Sequence, residues 1–242
     1  MTRLLTAAAL KVGYGPIDVV RGIDLQVDGG EVVVILGANG AGKTTTLAAL
    51  AGVIPAEGDI EILGRRDKAS LDVLTRRGLR YLPDERGIVR GLTVADNLRL
   101  ARVDPAVAYR ISPALEGLAG RRAGDLSGGE QQILALTRAI ASRPKLLIAD
   151  ELSFGLAPIV VTRMLALARA AAETGVGVLL VEQYASRALA VADRAYVLQR
   201  GRVVIEGDAA ELRRDIAALE ESYLGTATAT DTTVVSEGRK TL

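Results

Sequence analysis

The chain has 242 residues, of which 49% are hydrophobic, so it can bury a full α/β core as one large domain or as a domain with a subdomain. Its 30 basic and 29 acidic side chains nearly cancel, which leaves no overall field favouring nucleic acid or an anionic membrane. Cysteine and histidine are absent, which excludes disulfides, thiolate sites and histidine chemistry. Acid or base catalysis must therefore come from carboxylates, lysine, tyrosine or water.

Two β segments are predicted at the start of the chain, over residues 4–12 and 17–27, joined by a turn at residues 13–16. The apolar run at residues 4–10 is too short for a signal peptide, and no run approaches the roughly eighteen apolar residues that span a bilayer. Tyr14 is displayed on the turn. It can stack on adenine as a nucleotide contact, or it can pack within the turn itself.

Residues 32–46 read VVVILGANGAGKTTT, an apolar run followed by glycines, one lysine and three threonines. GANGAGKT at residues 37–44 fits the P-loop pattern, with a buried parallel strand before it and a helix over residues 44–51 after it. Its glycines let the backbone curl, so that amide groups and the helix N-terminus form a concave site for phosphates. A glycine-rich turn with a chance lysine is the alternative interpretation. The predicted nucleotide-binding residues are Gly37, Asn39, Gly40, Ala41, Gly42, Lys43, Thr44 and Thr45.

Two of these residues have further predicted roles. Lys43 is expected to reach the β- and γ-phosphates, and the Thr44 hydroxyl is expected to bind Mg²⁺. A strand over residues 79–82 leads into the polar loop PDERG at residues 83–87. Loops at the carboxyl ends of strands surround the ligand in open α/β sheets, so Asp84 is a further candidate for the metal site.

A mostly helical interval follows, with helices predicted over residues 93–102 and roughly 105–118, and it leads to LSGGEQQ at residues 126–132. Ser127 and Glu130 have the spacing of a capping box at the start of a helix. A well-capped helix is the simpler interpretation. The second interpretation is that Gly128 and Gly129 expose backbone amides at the helix N-terminus, which makes residues 127–130 a second phosphate-binding site.

The strand KLLIA at residues 145–149 ends in Asp150 and Glu151. In P-loop enzymes, two carboxylates in this position bind the metal ion and activate the attacking water. Asp150 is expected to hold the Mg²⁺ shell, and Glu151 is expected to orient or deprotonate water. Adjacent acids after a strand are also common turn residues, and the P-loop is what favours the catalytic interpretation.

The remaining chain continues the alternation of helix and strand. A helix over residues 158–175 precedes a strand over 176–181, whose carboxyl end carries Glu182 and Gln183, close enough for a side chain to reach phosphate. A hairpin is predicted from residues 194–199 and 202–206, and short helices from 209–214 and 216–224. The residues beyond Gly225 have no pattern that a core could use, so disorder is expected there.

Together these motifs resemble those of an ATP-binding cassette (ABC) ATPase subunit over residues 4–224. GANGAGKT is similar to its Walker A motif, LSGGEQQ to its signature, KLLIADE to its Walker B motif and SFGLA at residues 153–157 to its D-loop. The resemblance implies an α/β P-loop NTPase core with a mainly parallel sheet and an N-terminal antiparallel β subdomain. It further implies an ATPase domain over residues 1–225, with a helical subdomain at about 90–125, and a tail over 226–242.

The resemblance also implies function. ATP with Mg²⁺ would be held between this chain and a second ABC ATPase subunit, with Ser127, Gly128 and Gly129 facing the γ-phosphate on the partner's P-loop. ATP hydrolysis would drive separate membrane permease subunits, so that this chain is cytoplasmic, peripheral on the inner face of the membrane, and never touches the transported solute. The strings ILGANGAGKTT, LSGGEQQ, DELSFGLAP and LVEQ are most similar to ATPases of branched-chain amino-acid importers.

Two other functional classes stay open. One is a soluble ABC-type ATPase that acts on nucleic acid or ribosomes, against which the near-neutral charge argues. The other is a nucleotide-binding regulatory subunit with low turnover, against which Glu151 argues.

Three residues depart from the general family pattern: Asp84 replaces a glutamine, Gln183 a histidine, and Leu152 a proline. The first two are also typical of the importer subgroup. Both lower the positive potential around the phosphates, because Gln183 cannot be cationic and Asp84 adds negative charge. The hypothesis that follows is that the subunit works best in a heterodimer whose partner supplies a histidine-bearing site.

Overall fold

Nine strands form two sheets in the computed structural model, which describes residues 2–84, 87–153, 155–217 and 219. The strands are β1 (Arg3–Tyr14), β2 (Ile17–Asp28), β3 (Val32–Leu36), β4 (Glu57–Ile62), β5 (Leu79–Leu82), β6 (Leu146–Asp150), β7 (Gly177–Glu182), β8 (Arg194–Gln199) and β9 (Arg202–Asp208). The first sheet is antiparallel with order β2-β1-β4, and the second has order β5-β6-β7-β3-β8-β9. Only β9 runs antiparallel to its neighbour in the larger sheet.

The helices of the described residues pack mainly around the larger sheet. They are α1 (Lys43–Leu50), α2 (Leu71–Arg77), α3 (Val94–Leu100), α4 (Pro105–Ile111), α5 (Gly128–Ala141), α6 (Pro158–Glu173), α7 (Ala185–Ala188) and α8 (Ala209–Leu212). Among them, none combines the length and the apolar character that a membrane crossing requires. The sequence did not predict α7, a single turn that begins shortly after the end of β7.

The central strand β3 divides the core into two halves. All five of its residues are fully buried. Val32, Val34 and Leu36 face the layer that contains α5 and α6, whereas Val33 and Ile35 face α1 and the antiparallel sheet. Because both faces of this strand are covered, its sequence is an unbroken apolar run rather than an alternation of apolar and polar residues.

The helical segment between β5 and β6 differs from the sequence prediction at one point. The helix expected over residues 105–118 is broken at Ser112, whose φ of −136° is extended, and it resumes as the 3₁₀ helix Pro113–Leu118. Pro113 is the cause, because proline disfavours helical geometry at the residue before it. The predicted start of α3 is confirmed: Thr93 is its N-cap and accepts a hydrogen bond from the Asp96 amide at 3.1 Å.

The turn between β8 and β9 is wedged between β2 and the loop that follows β3. The amide of Gly201 donates to Ala41 O at 2.9 Å, and its carbonyl accepts from the Arg21 amide at 2.8 Å. A Cβ at this position would lie only 2.0 Å from Val19 O, so only glycine fits. The strands of this hairpin are as predicted, except that β9 extends to Asp208.

Arg194 at the start of β8 joins the two sheets. Its Nε donates to Glu31 Oε1 at 2.9 Å, Nη2 donates to Gln26 O at 2.8 Å, and Nη1 donates to the Tyr196 hydroxyl at 3.0 Å. The side chains of Arg194 and Glu31 are 17% and 14% exposed. One guanidinium therefore binds the antiparallel sheet and the residue before β3 at the same time.

The end of the chain is only partly described. The short helix predicted over residues 209–214 is present as α8 followed by the 3₁₀ turn Arg213–Asp215. The helix predicted over residues 216–224 lies mostly outside the described residues. The expected tail from residue 226 onwards lies wholly outside them.

Candidate active site

Four strand ends meet at one edge of the larger sheet. Strands β5, β6, β7 and β3 are parallel neighbours in that order. At or beyond their carboxyl ends come, respectively, Asp84, the pair Asp150 and Glu151, the pair Glu182 and Gln183, and the glycine-rich loop at residues 37–42. The fold thus brings together sequence segments that are far apart in the chain, at the edge where open α/β sheets bind ligands.

Glycine is required at two positions of the loop after β3. Gly37 has φ +155°, and a Cβ there would lie 2.4 Å from Leu198 O. Gly42 is the N-cap of α1 with φ +102°, and a Cβ there would lie 3.2 Å from Val19 O. Asn39 and Gly40 are exposed at the tip of the loop. The backbone therefore curls tightly into the N-terminus of α1, the geometry that presents amide groups to an anion.

Lys43 lies in the centre of the site with only 4% of its side chain exposed. Its Nζ donates to Gly37 O at 2.9 Å and to Ala38 O at 3.1 Å, and it lies 3.7 Å from Glu151 Oε1. Burial lowers the pKa of Lys43, and the negative charges of Glu151 and Asp150 act in the opposite direction. The loop thus holds a cation against the carboxylates that follow β6.

Asp150 and Thr44 fit the chemistry of a Mg²⁺ site. Asp150 is 2% exposed, and its Oδ1 has no hydrogen-bond partner within the described residues. Burial raises the pKa of Asp150, a hydrogen bond from Thr44 lowers it, and the charges of Glu151 and Asp84 raise it further. An orphaned carboxylate oxygen beside a threonine hydroxyl suits a hard cation that also takes phosphate and water ligands. No cluster of three acidic side chains in the described ranges could hold a metal by itself.

Glu151 and Glu182 lie in unusual environments. Glu151 has φ +41°, a left-handed conformation that is rare for residues other than glycine, and its amide donates to Val181 O at 3.0 Å. Glu182 is 1% exposed and accepts a hydrogen bond from the hydroxyl of Ser153. Burial raises the pKa of Glu182 to about 7, and the charges of Glu151 and Asp150 add to that rise.

The sequence alone predicts no specific role for Glu182. Its position at a strand end does not indicate that the carboxyl group turns inward and is buried. The only signal available was its position directly after the apolar run of β7. Gln183, the residue chosen from sequence, is half-buried beside it.

The turn at residues 127–130 forms the predicted capping box. The Ser127 amide donates to Glu130 Oε2 at 2.7 Å, and the Glu130 amide donates to Ser127 Oγ at 3.3 Å. The bonds that the Ser127 amide and hydroxyl donate to the Glu130 carboxylate lower its pKa. Gly129 lies against Val160, which is 3.0 Å from where its Cβ would be. Within the described ranges, no hydrogen bond or ion pair joins this turn to Lys43, Asp150 or Glu151.

Tyr14 ends β1 and is 54% exposed. It pairs with Ile17 across the hairpin, and the next residues of β2 reach the loop, since Val19 and Val20 lie beside Gly42. The tyrosine is thus on the hairpin that borders the site, with its ring available to a ligand.

Comparison with known proteins assigns the family. The family model described as ABC transporter matches residues 20–153, more than half of the chain. The chain belongs to the ABC transporter family. The matched residues include the glycine-rich loop, the turn at residues 127–130, Asp150 at the end of β6 and Glu151 after it. The predicted α/β fold, with an antiparallel sheet and a mostly parallel core sheet, is confirmed.

Three relatives show the range of this ABC transporter ATPase's similarities. A high-affinity branched-chain amino acid transport ATP-binding protein, BraG of Pseudomonas aeruginosa, is 37% identical over 228 residues, which cover 88% of this chain and 95% of the relative. The lipopolysaccharide export system ATP-binding protein LptB of Escherichia coli K12 is 34% identical over 234 residues, which cover 91% and 97%. A solved ATP-binding subunit of an ABC transporter has a TM-score of 0.78 and 29% identity, and the match covers 93% of this chain and 100% of that one. The chain is an ATP-hydrolysing enzyme subunit whose reaction is coupled to transport.

Proposed function

We propose that this ATPase subunit energises a membrane importer for branched-chain amino acids or related small polar solutes. The observation that carries the proposal is the 37% identity to BraG over nearly the full length of both chains. In this arrangement separate permease subunits contain the solute path, and the ATPase is peripheral on the cytoplasmic face of the membrane. The solute and nucleic acid do not contact this chain.

ATP is proposed to bind at the loop after β3. Amides of residues 40–45 and the N-terminus of α1 would bind its phosphates, and Lys43 would exchange its bonds to Gly37 O and Ala38 O for the β- and γ-phosphates. Tyr14 would stack on the adenine. The buried position of Lys43 supports this role, because a cation already removed from water interacts strongly with an incoming phosphate.

Catalysis is proposed to depend on the carboxylates after β6. Thr44 and Asp150 would hold Mg²⁺, with Asp84 close by, and the metal would neutralise charge on the phosphates. Glu151 is 3.7 Å from Lys43 and only partly exposed, so it can orient or deprotonate a water aimed at the γ-phosphate. Gln183 would donate a hydrogen bond to that phosphate.

The open side of the nucleotide is proposed to be closed by a second ATPase subunit. Ser127, Gly128, Gly129 and Glu130 make no bond to this chain's own site within the described ranges, so they are available to the γ-phosphate on a partner's loop. ATP would then stabilise the dimer and hydrolysis would release it. A partner that supplies histidine at the position of Gln183 would give a heterodimer with one stronger site. Equal ATPase turnover of the subunit alone and of the reconstituted pair would contradict this dependence.

Lipopolysaccharide export is the second candidate function. LptB of Escherichia coli is 34% identical over a similar length, so identity alone separates the two candidates by little. Solute and direction are decided by the permease subunits, whose identity separates the candidates.

The deciding experiment is to identify the membrane proteins that co-purify with the chain and reconstitute them in liposomes. ATP-driven uptake of radiolabelled leucine that is lost with Glu151→Gln supports the proposal. Association with lipopolysaccharide-export components, without amino-acid uptake, would refute it. In the same assay Glu151→Gln should lower hydrolysis about 100-fold or more while ATP binding persists, because general-base and water-orienting roles contribute on that scale.

A further inference from the structure

Glu151 is held in a costly backbone conformation. A non-glycine residue at φ +41° lies in a sparsely populated region of backbone conformation and persists only when its surroundings fix it. The first fixing contact is the bond from the Glu151 amide to Val181 O at 3.0 Å. A second hydrogen bond to β7 comes from Ser153, two residues later.

The contact at Ser153 depends on Glu182. The hydroxyl of Ser153 donates to the Glu182 carboxyl group. Ser153 is 7% exposed and Glu182 is 1% exposed, so water does not compete for this bond. The Ser153 carbonyl in turn accepts from the Leu156 amide at 3.3 Å, which closes the following turn. Residues 151 and 153 are thus attached to consecutive residues of β7.

We infer that Glu182 is a positioning residue for hydrolysis: through Ser153 it holds the backbone of Glu151 in the left-handed conformation that aims its carboxylate at the nucleotide site. The inference rests on the proposed role of Glu151. It assigns the buried carboxyl group no contact with ATP or with the metal. Its remaining oxygen, Oε1, has no hydrogen-bond partner within the described residues, so the bond from the Ser153 hydroxyl is its main polar contact there.

The test uses the purified full-length chain assembled with its transporter, and it measures kcat and KM for ATP in four variants. Ser153→Ala and Glu182→Leu should each lower kcat at least tenfold with KM changed less than twofold, because the phosphate-binding loop is untouched. The double variant should be no slower than the worse single variant, since both changes break the same link. Glu182→Gln should keep at least half of kcat, because its amide oxygen still accepts from Ser153.

Ser142→Ala is the matched control. Ser142 Oγ donates to Ala139 O at 2.7 Å near the end of α5, so this variant removes a serine hydrogen bond away from the site, and kcat should be unchanged. Three results would overturn the inference: unaltered kcat in the single variants, a double variant that loses the product of the two effects, or a Glu182→Gln variant as slow as Glu182→Leu.

If Glu182→Leu does not fold, hydrogen exchange of the Ser153→Ala variant tests the inference instead. In Ser153→Ala, a peptide containing the amides of Glu151 and Leu156 should exchange at least tenfold faster than in wild type, and unchanged exchange overturns the inference. Glu151→Gln separates this failure from that of the proposed function. If Glu151→Gln abolishes turnover and Ser153→Ala does not lower it, only the positioning role of Glu182 fails; if Glu151→Gln retains turnover, both fail.

Discussion

Several carboxyl groups act on the single positive charge of Lys43. Glu151 lies 3.7 Å away, and the charges of Asp150 and Glu182 also act on it. Burial raises the pKa of Asp150 and of Glu182, because the charged forms of these carboxyl groups lose contact with water. A nucleotide would add further negative charge, which a divalent cation at Asp150 would offset in the proposed site.

The buried carboxyl group of Glu182 makes stability depend on pH. Its pKa is raised from the ordinary glutamate value of 4.5 to about 7 in the folded chain. Below pH 4.5 both folded and unfolded states are protonated at this residue. As pH rises from 4.5 through about 7, the unfolded state releases this proton first, while the folded state still binds it. The free energy of unfolding therefore falls over this range by an amount on the order of 3 kcal/mol.

Glu182→Gln should remove this dependence. In urea unfolding at a series of pH values, the difference in unfolding free energy between wild type and variant should change in favour of the variant from pH 4.5 to above 7. Asp150 is present in both proteins, so its own titration largely cancels in the difference. Parallel pH profiles for the two proteins would show that Glu182 does not titrate in this range.

At the scale of single elements, α5 illustrates a helix whose start is specified locally. Ser127 and Glu130 exchange amide hydrogen bonds in the capping box that the spacing predicts. Ser127→Ala should lower the free energy of unfolding by about 1 kcal/mol, because a free amide of the first turn loses its side-chain partner. Denaturant unfolding measures this value. Ser142→Ala, at the other end of the same helix, should cost less, and an equal cost would argue against a specific capping effect.

Local rules account for the elements that the sequence predicted and for those it did not. The glycine-rich loop and the capping box depend on neighbouring residues, so their patterns were sufficient. The break at Ser112 was missed because the apolar pattern continues through it, although Pro113 was visible. The inward turn of Glu182 depends on Ser153, which follows another strand, and no periodicity within β7 could indicate it.

The same distinction applies to the candidate site as a whole. Asp84, Asp150, Glu151 and Gln183 were chosen because each lies at or after a strand end, and the parallel order of those strands brings them to one edge. The left-handed backbone of Glu151 was not predictable, because it results from contacts with β7 rather than from its own sequence.

At the scale of the whole molecule, Arg194 links the two sheets. Replacing it with methionine leaves Glu31 partly buried without its cation and removes the bonds to Gln26 O and the Tyr196 hydroxyl. The free energy of unfolding should fall by about 2–3 kcal/mol, less than for a fully buried pair because both side chains keep some exposure. Thermal or urea unfolding measures the change.

Arg66→Met is the control for that prediction. Arg66 pairs with Asp59 and Glu61 at the surface, where its side chain is 69% exposed. Solvent screens such pairs, so this variant should unfold at the same denaturant concentration as wild type. A comparable loss of unfolding free energy in both variants would mean that Arg194 stabilises the fold no more than a surface ion pair does.

The contact between Gly201 and the loop after β3 forms late during synthesis of the chain. The Gly201 amide holds Ala41 O, and the turn it belongs to reaches the ribosome exit only after every catalytic segment has emerged. A nascent chain that already contains the glycine-rich loop, the turn at residues 127–130 and both carboxylates still lacks this hydrogen bond. The loop after β3 therefore gains its contact with the β8–β9 turn only after residue 201 has been synthesised.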